Sequence, residues 1–189
     1  MDPNAPNSLK GHSLIAMPEL ADPNFSRTVS VICEHSGEGA VGLVVNRTHA
    51  FLTVKDILEE LDIGYLPEIG ARPVHVGGPV HMNEVFLIHG PPFGWEGCLV
   101  ITPELAMSNT RDILEAVAMG RGPGAFLITL GCAGWGPGQL ESEIRQNSWL
   151  TSSVWEDILF QTPVEERWET SLKKIGIDPT LLSGAAGHA

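Results

Sequence analysis

The chain has 189 residues and is 43% hydrophobic, with 11 Lys and Arg against 23 Asp and Glu and a formal net charge of −12 at pH 7. This composition is typical of a globular protein and excludes a disordered chain, and the acidic balance disfavours binding to phosphate backbones. No apolar run approaches the roughly 18 residues of a membrane-spanning helix, and the amino terminus lacks the basic and apolar regions of a signal peptide. We therefore expect one cytoplasmic domain over residues 1–189, with flexible tails at 1–11 and 178–189.

The predicted elements begin with strands. An apolar run at 12–17 precedes a turn of Asp, Pro and Asn, which favours local backbone hydrogen bonds. Alternating residues at 28–35 and an apolar run at 40–46 predict two strands, and the glycines between them predict an antiparallel hairpin. Shorter strands are predicted at 73–76, 84–89, 97–102, 125–130 and 149–154.

Four helices are predicted at 53–62, 110–119, 138–147 and 163–175. Thr53 followed three residues later by Asp56 resembles a capping box, which stabilises the start of the first helix. Val164, Trp168 and Leu172 form the apolar stripe of the fourth helix. Strands interspersed with helices indicate an α+β domain.

A glycine-rich stretch, LGCAGWGPGQLESEIRQNSW, runs from 130 to 149 and connects a predicted strand to a predicted helix. Such a turn points backbone N–H groups outward, where they can bind an anion or a carbonyl, with Gln139 and Glu141 at the rim. The alternative is a tight connection that needs glycine for its backbone geometry. The spacing matches neither the dinucleotide fingerprint nor a P-loop. We expect Trp135 and Gly138 to border the largest cleft, with Arg27 or Arg111 within reach.

Polar residues elsewhere offer charges for the same ligand. Arg27 and Arg47 flank the first strand pair, and Arg111 lies in the first turn of a predicted helix, beside its free N–H groups. They either bind a small anion together or form ion pairs with the abundant carboxylates. The candidate ligand-binding residues are Asp22, Asn24, Arg27, Asn46, Arg47, Arg111, Gly134, Trp135, Gly138, Gln139 and Glu141.

The cysteines and histidines do not indicate a catalytic or metal site. Cys33, Cys98 and Cys132 are widely spaced, which favours a reduced protein over a disulfide scaffold. Cys33 and His35 share a strand face, but such neighbours lie about 7 Å apart, too far for a nucleophile–base pair. The sequence contains no familiar triad or metal-ligand spacing, so we identify no catalytic residue and expect no metal and no cofactor.

Five segments together resemble the AlgH/YqgE family of bacterial proteins. They are IAMPELADPNFSRTVSVICEH at 15–35, GAVGLVVNR at 39–47, VGGPV at 76–80, TRDILEAVAMGRGP at 110–123 and GCAGWGPGQLESEIRQNSWL at 131–150. The resemblance implies an α/β (α+β) fold with a mostly antiparallel, bifurcated sheet curled toward a pseudo-barrel and about four helices packed outside. The family is largely uncharacterised, and its name reflects a proposed regulatory role in alginate production. Cys132 stands where the family often has tyrosine.

Two functions remain open. The absence of a catalytic signature favours a non-enzymatic, ligand-sensing or regulatory protein that acts through protein partners. The alternative is a small-molecule enzyme, or an anion- or nucleotide-binding protein, with its site at the Gly131–Glu141 turn. A small anionic ligand or a protein is therefore the expected partner. We expect no membrane association and no direct binding to nucleic acid, because the densest basic cluster, Lys173-Lys174, follows three glutamates on its helix.

Overall fold

A computed structural model describes residues 8–182 and has an α+β fold built on one sheet of ten strands. The strands are β1 His12–Ala16, β2 Val29–Ser36, β3 Gly39–Val44, β4 Thr48–Thr53, β5 Pro73–Val76, β6 Val80–His89, β7 Leu99–Thr102, β8 Leu105–Ser108, β9 Phe126–Trp135 and β10 Trp149–Ser153. The helices are α1 Val54–Glu60, α2 Pro67–Gly70, α3 Arg111–Ala118, α4 Gln139–Arg145, α5 Glu156–Phe160, α6 Arg167–Lys174 and α7 Pro179–Leu182, with a 3₁₀ turn at Val164–Glu166.

The sheet forks at β9. Its main order is β10-β1-β2-β3-β9-β6-β8-β7, and a branch of β5 and β4 also joins β9. Only the β5–β9 pairing is parallel among the pairings of the described strands. The predicted bifurcated, mostly antiparallel sheet is therefore confirmed. Within residues 8–182 the end strands β10 and β7 do not pair with each other, so the sheet stays open and does not close into a barrel.

Two adjacent glycines make the fork possible. Gly77 N–H donates to the Leu130 carbonyl at 2.8 Å, and the Gly77 carbonyl accepts from Val44 N–H at 2.8 Å. A Cβ atom on Gly77 would lie 2.1 Å from the Gly131 carbonyl oxygen. A Cβ atom on Gly78, where φ is +150°, would lie 2.3 Å from the Cys132 carbonyl. Only glycine allows the backbone to approach β9 this closely.

The four predicted helices are confirmed as α1, α3, α4 and the segment from the 3₁₀ turn through α6. The capping box is present, because Thr53 N–H donates to Asp56 Oδ2 at 2.7 Å. The three shorter helices α2, α5 and α7 have only four or five residues each, which is too short for a periodic apolar pattern to indicate them. The predicted tails at 1–11 and 178–189 lie partly outside the described residues, and α7 falls within the second.

Three hydrophobic clusters fill the fold. One contains side chains from β1–β3 and from β6–β9, together with Trp168 and Leu172 of α6. The second lies under α1 and α3, and the third surrounds Trp135 and Trp149. Nowhere in residues 8–182 is there a helix both long and apolar enough to span a bilayer.

The three cysteines are free thiols. Cys33 and Cys132 are buried, and burial raises the pKa of both thiols. Because the thiolate is the reactive form, both side chains act as small apolar groups of the core.

Candidate anion-binding pocket

The glycine-rich turn is held by its own side chains. Gly138 has φ +72° and directly precedes α4. Gly136 N–H donates to Gln139 Oε1 at 3.0 Å, and Gln139 Nε2 donates to Glu143 Oε1 at 2.8 Å. At Gly136, the N–H that could serve an anion therefore already has an acceptor within the chain, which favours the architectural interpretation of this turn.

Glu143 also joins two buried indoles. Trp135 Nε1 and Trp149 Nε1 donate to Glu143 Oε2 at 2.9 and 2.8 Å. The ring of Phe25 packs against both, with centroids 5.9 and 5.6 Å away. Trp135 is only 5% exposed and so packs in a cluster instead of lining an open cleft. Glu141, also predicted at the rim, pairs with His35 at 2.9 Å.

Five of the other predicted residues form one structural group around the 22–27 loop. Arg47 donates from Nη1 to the carbonyls of Pro23 and Asn24, at 2.8 and 2.9 Å, and from Nη2 to that of Ser26 at 2.7 Å. Its guanidinium is therefore largely used by main-chain carbonyls. The members of the group are Asp22, Asn24, Arg27, Asn46 and Arg47.

Asn46 and Asp22 support the same loop. Asn46 Oδ1 accepts from Val29 N–H at 2.7 Å, and its Nδ2 donates to the Arg27 carbonyl at 2.9 Å. Asp22 Oδ1 accepts from Asn24 N–H at 2.8 Å. The Arg27 guanidinium lies over the Trp168 ring, 5.0 Å from its centroid.

Arg111 lies apart from both groups. Its Nε donates to Glu115 Oε1 at 2.6 Å, and its Nη1 donates to the Leu61 carbonyl at 3.0 Å. It lines a cavity of about 370 Å³ that also includes Glu84. Gly134 lies opposite Val41 in the β3–β9 pair. The structure thus places the predicted residues in a turn, a loop and a separate cavity, and does not gather them in one site.

A different cavity, of about 210 Å³, concentrates positive charge. It lies between β5, the start of β9 and the segment that leads from α5 into α6. Three of its lining residues are basic, namely Arg72, His75 and Arg167. No aspartate or glutamate of residues 8–182 lines it. We call it the basic pocket.

Arg167 is the buried cation of the basic pocket. It begins α6 and is only 4% exposed. Its Nε donates to the Thr162 carbonyl at 3.1 Å, and its Nη1 donates to the Val45 carbonyl and to His75 Nε2. Its Nη2 makes no hydrogen bond to any described residue, and no described carboxylate forms an ion pair with it. Burial lowers the pKa of the Arg167 guanidinium to about 10, although the nearby Glu165 carboxylate acts in the opposite direction, so Arg167 stays charged at neutral pH.

His75 supplies a neutral donor. Burial, with the nearby Arg167 charge, lowers the pKa of His75 to about 4, although the Ile128 carbonyl acts in the opposite direction. An arginine only donates, so the 3.4 Å contact with Arg167 Nη1 assigns the lone pair to Nε2 and the proton to Nδ1. The Ile128 carbonyl lies near enough to act on the pKa, but it does not meet hydrogen-bonding geometry, and Nδ1 has no other partner among the described residues. Since an unpaired buried donor is costly, an acceptor from a ligand would stabilise it.

Arg72 is the exposed cation at the same cavity. Its guanidinium stacks on the Phe126 ring, 4.2 Å from the centroid. Within the described part of the chain its side chain makes no ion pair and no hydrogen bond. A guanidinium matches carboxylate and phosphate oxygens with two parallel N–H donors, so Arg72 is free to bind such a group.

Sequence patterns did not single out these three residues. Trp168 lies on the apolar stripe of α6, and Arg167 directly precedes it in the sequence. This neighbour is the one local indication that Arg167 is buried. His75 lies within a short strand and Arg72 just before it, and neither belongs to a motif. The pocket exists because the tertiary fold brings the first residue of α6 next to His75 of β5.

The lining of the basic pocket suits the binding of an anion. His75 is neutral at pH 7, and the lining includes no serine, threonine, cysteine or lysine. Elsewhere His89 Nε2 lies 2.9 Å from Ser108 Oγ, the geometry of a nucleophile–base pair, but both residues are at most 1% exposed. Residues 8–182 contain no group of three His, Cys, Asp or Glu placed to hold a metal.

The buried histidine predicts a pH dependence of stability. Between pH 6.5 and 4 the unfolded chain binds a proton at His75 that the folded chain excludes. The contribution of neutral His75 to the free energy of unfolding is fully present above pH 6.5. It is lost as the pH falls, and the loss reaches about 3 kcal/mol near pH 4. We expect urea unfolding to show this additional loss in wild type relative to His75→Gln, which keeps an acceptor for Arg167. If the free energy of unfolding changed with pH in the same way in both proteins, His75 would not have this role.

Comparisons with known proteins identify relatives across the whole chain. The sequence profile of the AlgH-like family matches residues 13–180. A UPF0301 protein of Desulforapulum autotrophicum is 51% identical over 189 residues, with 100% of both chains covered. A UPF0301 protein of Methylococcus capsulatus is 44% identical, over 95% of this chain and 96% of its own length.

Solved structures agree with this similarity. The solution structure of the AlgH protein from Pseudomonas aeruginosa matches with a TM-score of 0.81 at 42% identity and covers 100% of both chains. A crystal structure of a protein from Corynebacterium diphtheriae matches with a TM-score of 0.72 at 22% identity, over 96% of this chain and 92% of its own, and shares the fold.

Proposed function

The chain belongs to the AlgH-like family of proteins, and we propose that it senses a small anionic ligand whose phosphate or carboxylate group binds in the basic pocket. Arg167 and Arg72 bind the anion, and His75 Nδ1 donates a further hydrogen bond. The protein acts through the bound state and its protein partners, without a chemical step. This keeps the ligand-sensing function that the sequence favoured and assigns it a different site.

The observation that supports this proposal is the buried guanidinium of Arg167. A buried charge is strongly disfavoured unless it is paired, and buried charges in proteins normally have a charged partner. Only neutral groups hydrogen-bond to Arg167 among the described residues. The carboxylate that acts on its charge is Glu165, which is exposed and forms no ion pair with it. An anion in the pocket would supply a countercharge in direct contact with the guanidinium.

The position of the pocket suits a sensor. His75 comes from β5, whereas Phe160, Val164 and Arg167 come from the segment that runs from α5 to α6. A bound anion would therefore connect the sheet to this helical segment. Its binding stabilises one arrangement of the segment, which a protein partner can then recognise.

Thermal unfolding with inorganic phosphate tests this function. Ligand at 100 times its dissociation constant adds about 2.7 kcal/mol of stability, which raises the Tm by several degrees in a protein of this size. Arg72→Met removes an exposed cation without disturbing the core, and we expect it to weaken binding at least roughly tenfold. Arg111→Met is the matched control, because Arg111 lies at another cavity.

The three proteins separate the outcomes. A phosphate effect that falls to about half or less in Arg72→Met alone supports the basic pocket. Loss in Arg111→Met alone would instead support the site predicted around Arg111, and no effect in wild type would contradict anion binding. Turnover of a stabilising ligand would identify the protein as an enzyme.

We further predict that the protein does not bind DNA directly. Lys174 pairs with Asp157 at 2.6 Å, and Lys173 lies 3.9 Å from Glu169, so the densest basic cluster is already next to carboxylates. DNA affinity depends on cations that neutralise phosphates. A duplex at micromolar concentration and physiological salt should leave the protein unshifted in a gel. Salt-dependent binding that disappears in the Lys173→Glu, Lys174→Glu double variant would overturn this expectation.

A further inference from the structure

A second cavity adjoins the basic pocket at Arg72. Its volume is about 400 Å³, and it shares Arg72, Gly124 and Phe126 with the basic pocket. The stacked pair of Arg72 and Phe126 therefore borders both spaces and forms the wall between them. We call the second space the outer groove. A ligand whose anion is bound by Arg72 would have the rest of its body next to the outer groove.

The lining of the outer groove suits a flat, largely apolar body. Ile69, Val117, Pro123 and Phe126 supply apolar surface, and glycines supply close backbone approach. Ligand pockets generally combine such surface with a few polar groups that fix orientation. A guanidinium that stacks on an aromatic ring can also stack on a planar base with its other face.

Glu68 adds to the outer groove a negative charge that the basic pocket lacks. It is an exposed residue of α2 that lines the outer groove and forms no ion pair with any described residue. A carboxylate only accepts hydrogen bonds, so it favours an amino group and disfavours a second anion. A ligand that fills both spaces would therefore match their charges if it carried an anion at one end and an N–H donor at the other.

From these features we infer that the ligand is a nucleoside monophosphate whose base carries an exocyclic amino group. Its phosphate lies between Arg72 and Arg167, and its base lies in the outer groove against the Arg72–Phe126 wall. The amino group of the base donates to Glu68. This inference rests on the anion-binding function proposed above and names the class of anion.

Isothermal titration with four probes tests the inference: inorganic phosphate, ribose 5-phosphate, AMP and IMP. Stacking of a base should make AMP bind roughly 5- to 150-fold more tightly than ribose 5-phosphate. IMP has a carbonyl where AMP has the amino group, so it should bind roughly tenfold more weakly than AMP. Glu68→Ala should abolish the difference between AMP and IMP, whereas the control Glu60→Ala, at an exposed glutamate of α1, should preserve it.

A third variant tests the groove by filling it. Ile69 is half-buried, and Ile69→Trp should reduce AMP affinity to that of ribose 5-phosphate while phosphate binding persists. Equal affinity of wild type for phosphate and AMP would overturn the nucleotide inference and leave anion binding intact. An AMP preference over IMP that survives in Glu68→Ala would also overturn it. No affinity for any of the four probes would contradict the basic pocket as a site, and the inference with it.

Discussion

Gly77→Ala should destabilise the protein by about 4 kcal/mol or more, which is at the extreme of single substitutions. The new Cβ atom would lie 2.1 Å from the Gly131 carbonyl oxygen and 2.9 Å from Thr129 Oγ1. The first neighbour is main chain of the central strand β9, so it can give way only if the fork of the sheet shifts. Urea unfolding followed by circular dichroism would measure the loss.

Gly64→Ala is the matched control for this prediction. A Cβ atom at Gly64 would meet no atom within 4 Å, so the change should alter stability by no more than about 0.5 kcal/mol. Similar midpoints for Gly77→Ala and Gly64→Ala would mean that β9 does not approach Gly77 as closely as described.

Glu143→Ala should cost about 4 kcal/mol, because two buried indole N–H groups would lose their acceptor at roughly 1–3 kcal/mol each. Trp135 and Trp149 are at most 5% exposed, so their N–H groups could be rehydrated only by water in the space that the half-buried Glu143 side chain leaves. Glu143→Gln retains one carbonyl oxygen and should cost much less. Unfolding monitored by tryptophan fluorescence would compare the two variants, and equal losses would show that the carboxylate is not needed as an acceptor.

Local signals account for the elements that the sequence predicted correctly. Thr53 and Asp56 are three residues apart and their hydrogen bond is local, so the start of α1 could be predicted without tertiary information. The same holds for α6, which ends before Gly176, where φ is +81°. The fork of the sheet follows from the family resemblance, because the parallel pairing of β5 with β9 joins residues more than fifty positions apart.

The basic pocket could not be predicted in this way. Arg167 and His75 are 92 positions apart, and neither belongs to a recognisable motif. By contrast, the glycines at 77, 78 and 131 are needed by the architecture, because neighbouring segments of the main chain approach each of them closely. The candidate site was predicted at the Gly131–Glu141 turn because the composition of that segment is the most unusual in the chain. The buried guanidinium of Arg167 occurs instead in an ordinary amphipathic helix.

Anion binding at Arg167 is tested most directly by a crystal grown or soaked with selenate, whose selenium gives an anomalous signal. The ion should lie in the basic pocket, with an oxygen about 3 Å from Arg167 Nη2 and another near the Arg72 guanidinium. His75 Nδ1 should be the third donor. A selenate ion bound at the Gly136–Gln139 turn or beside Arg111, with the basic pocket empty at the same concentration, would contradict the proposed site.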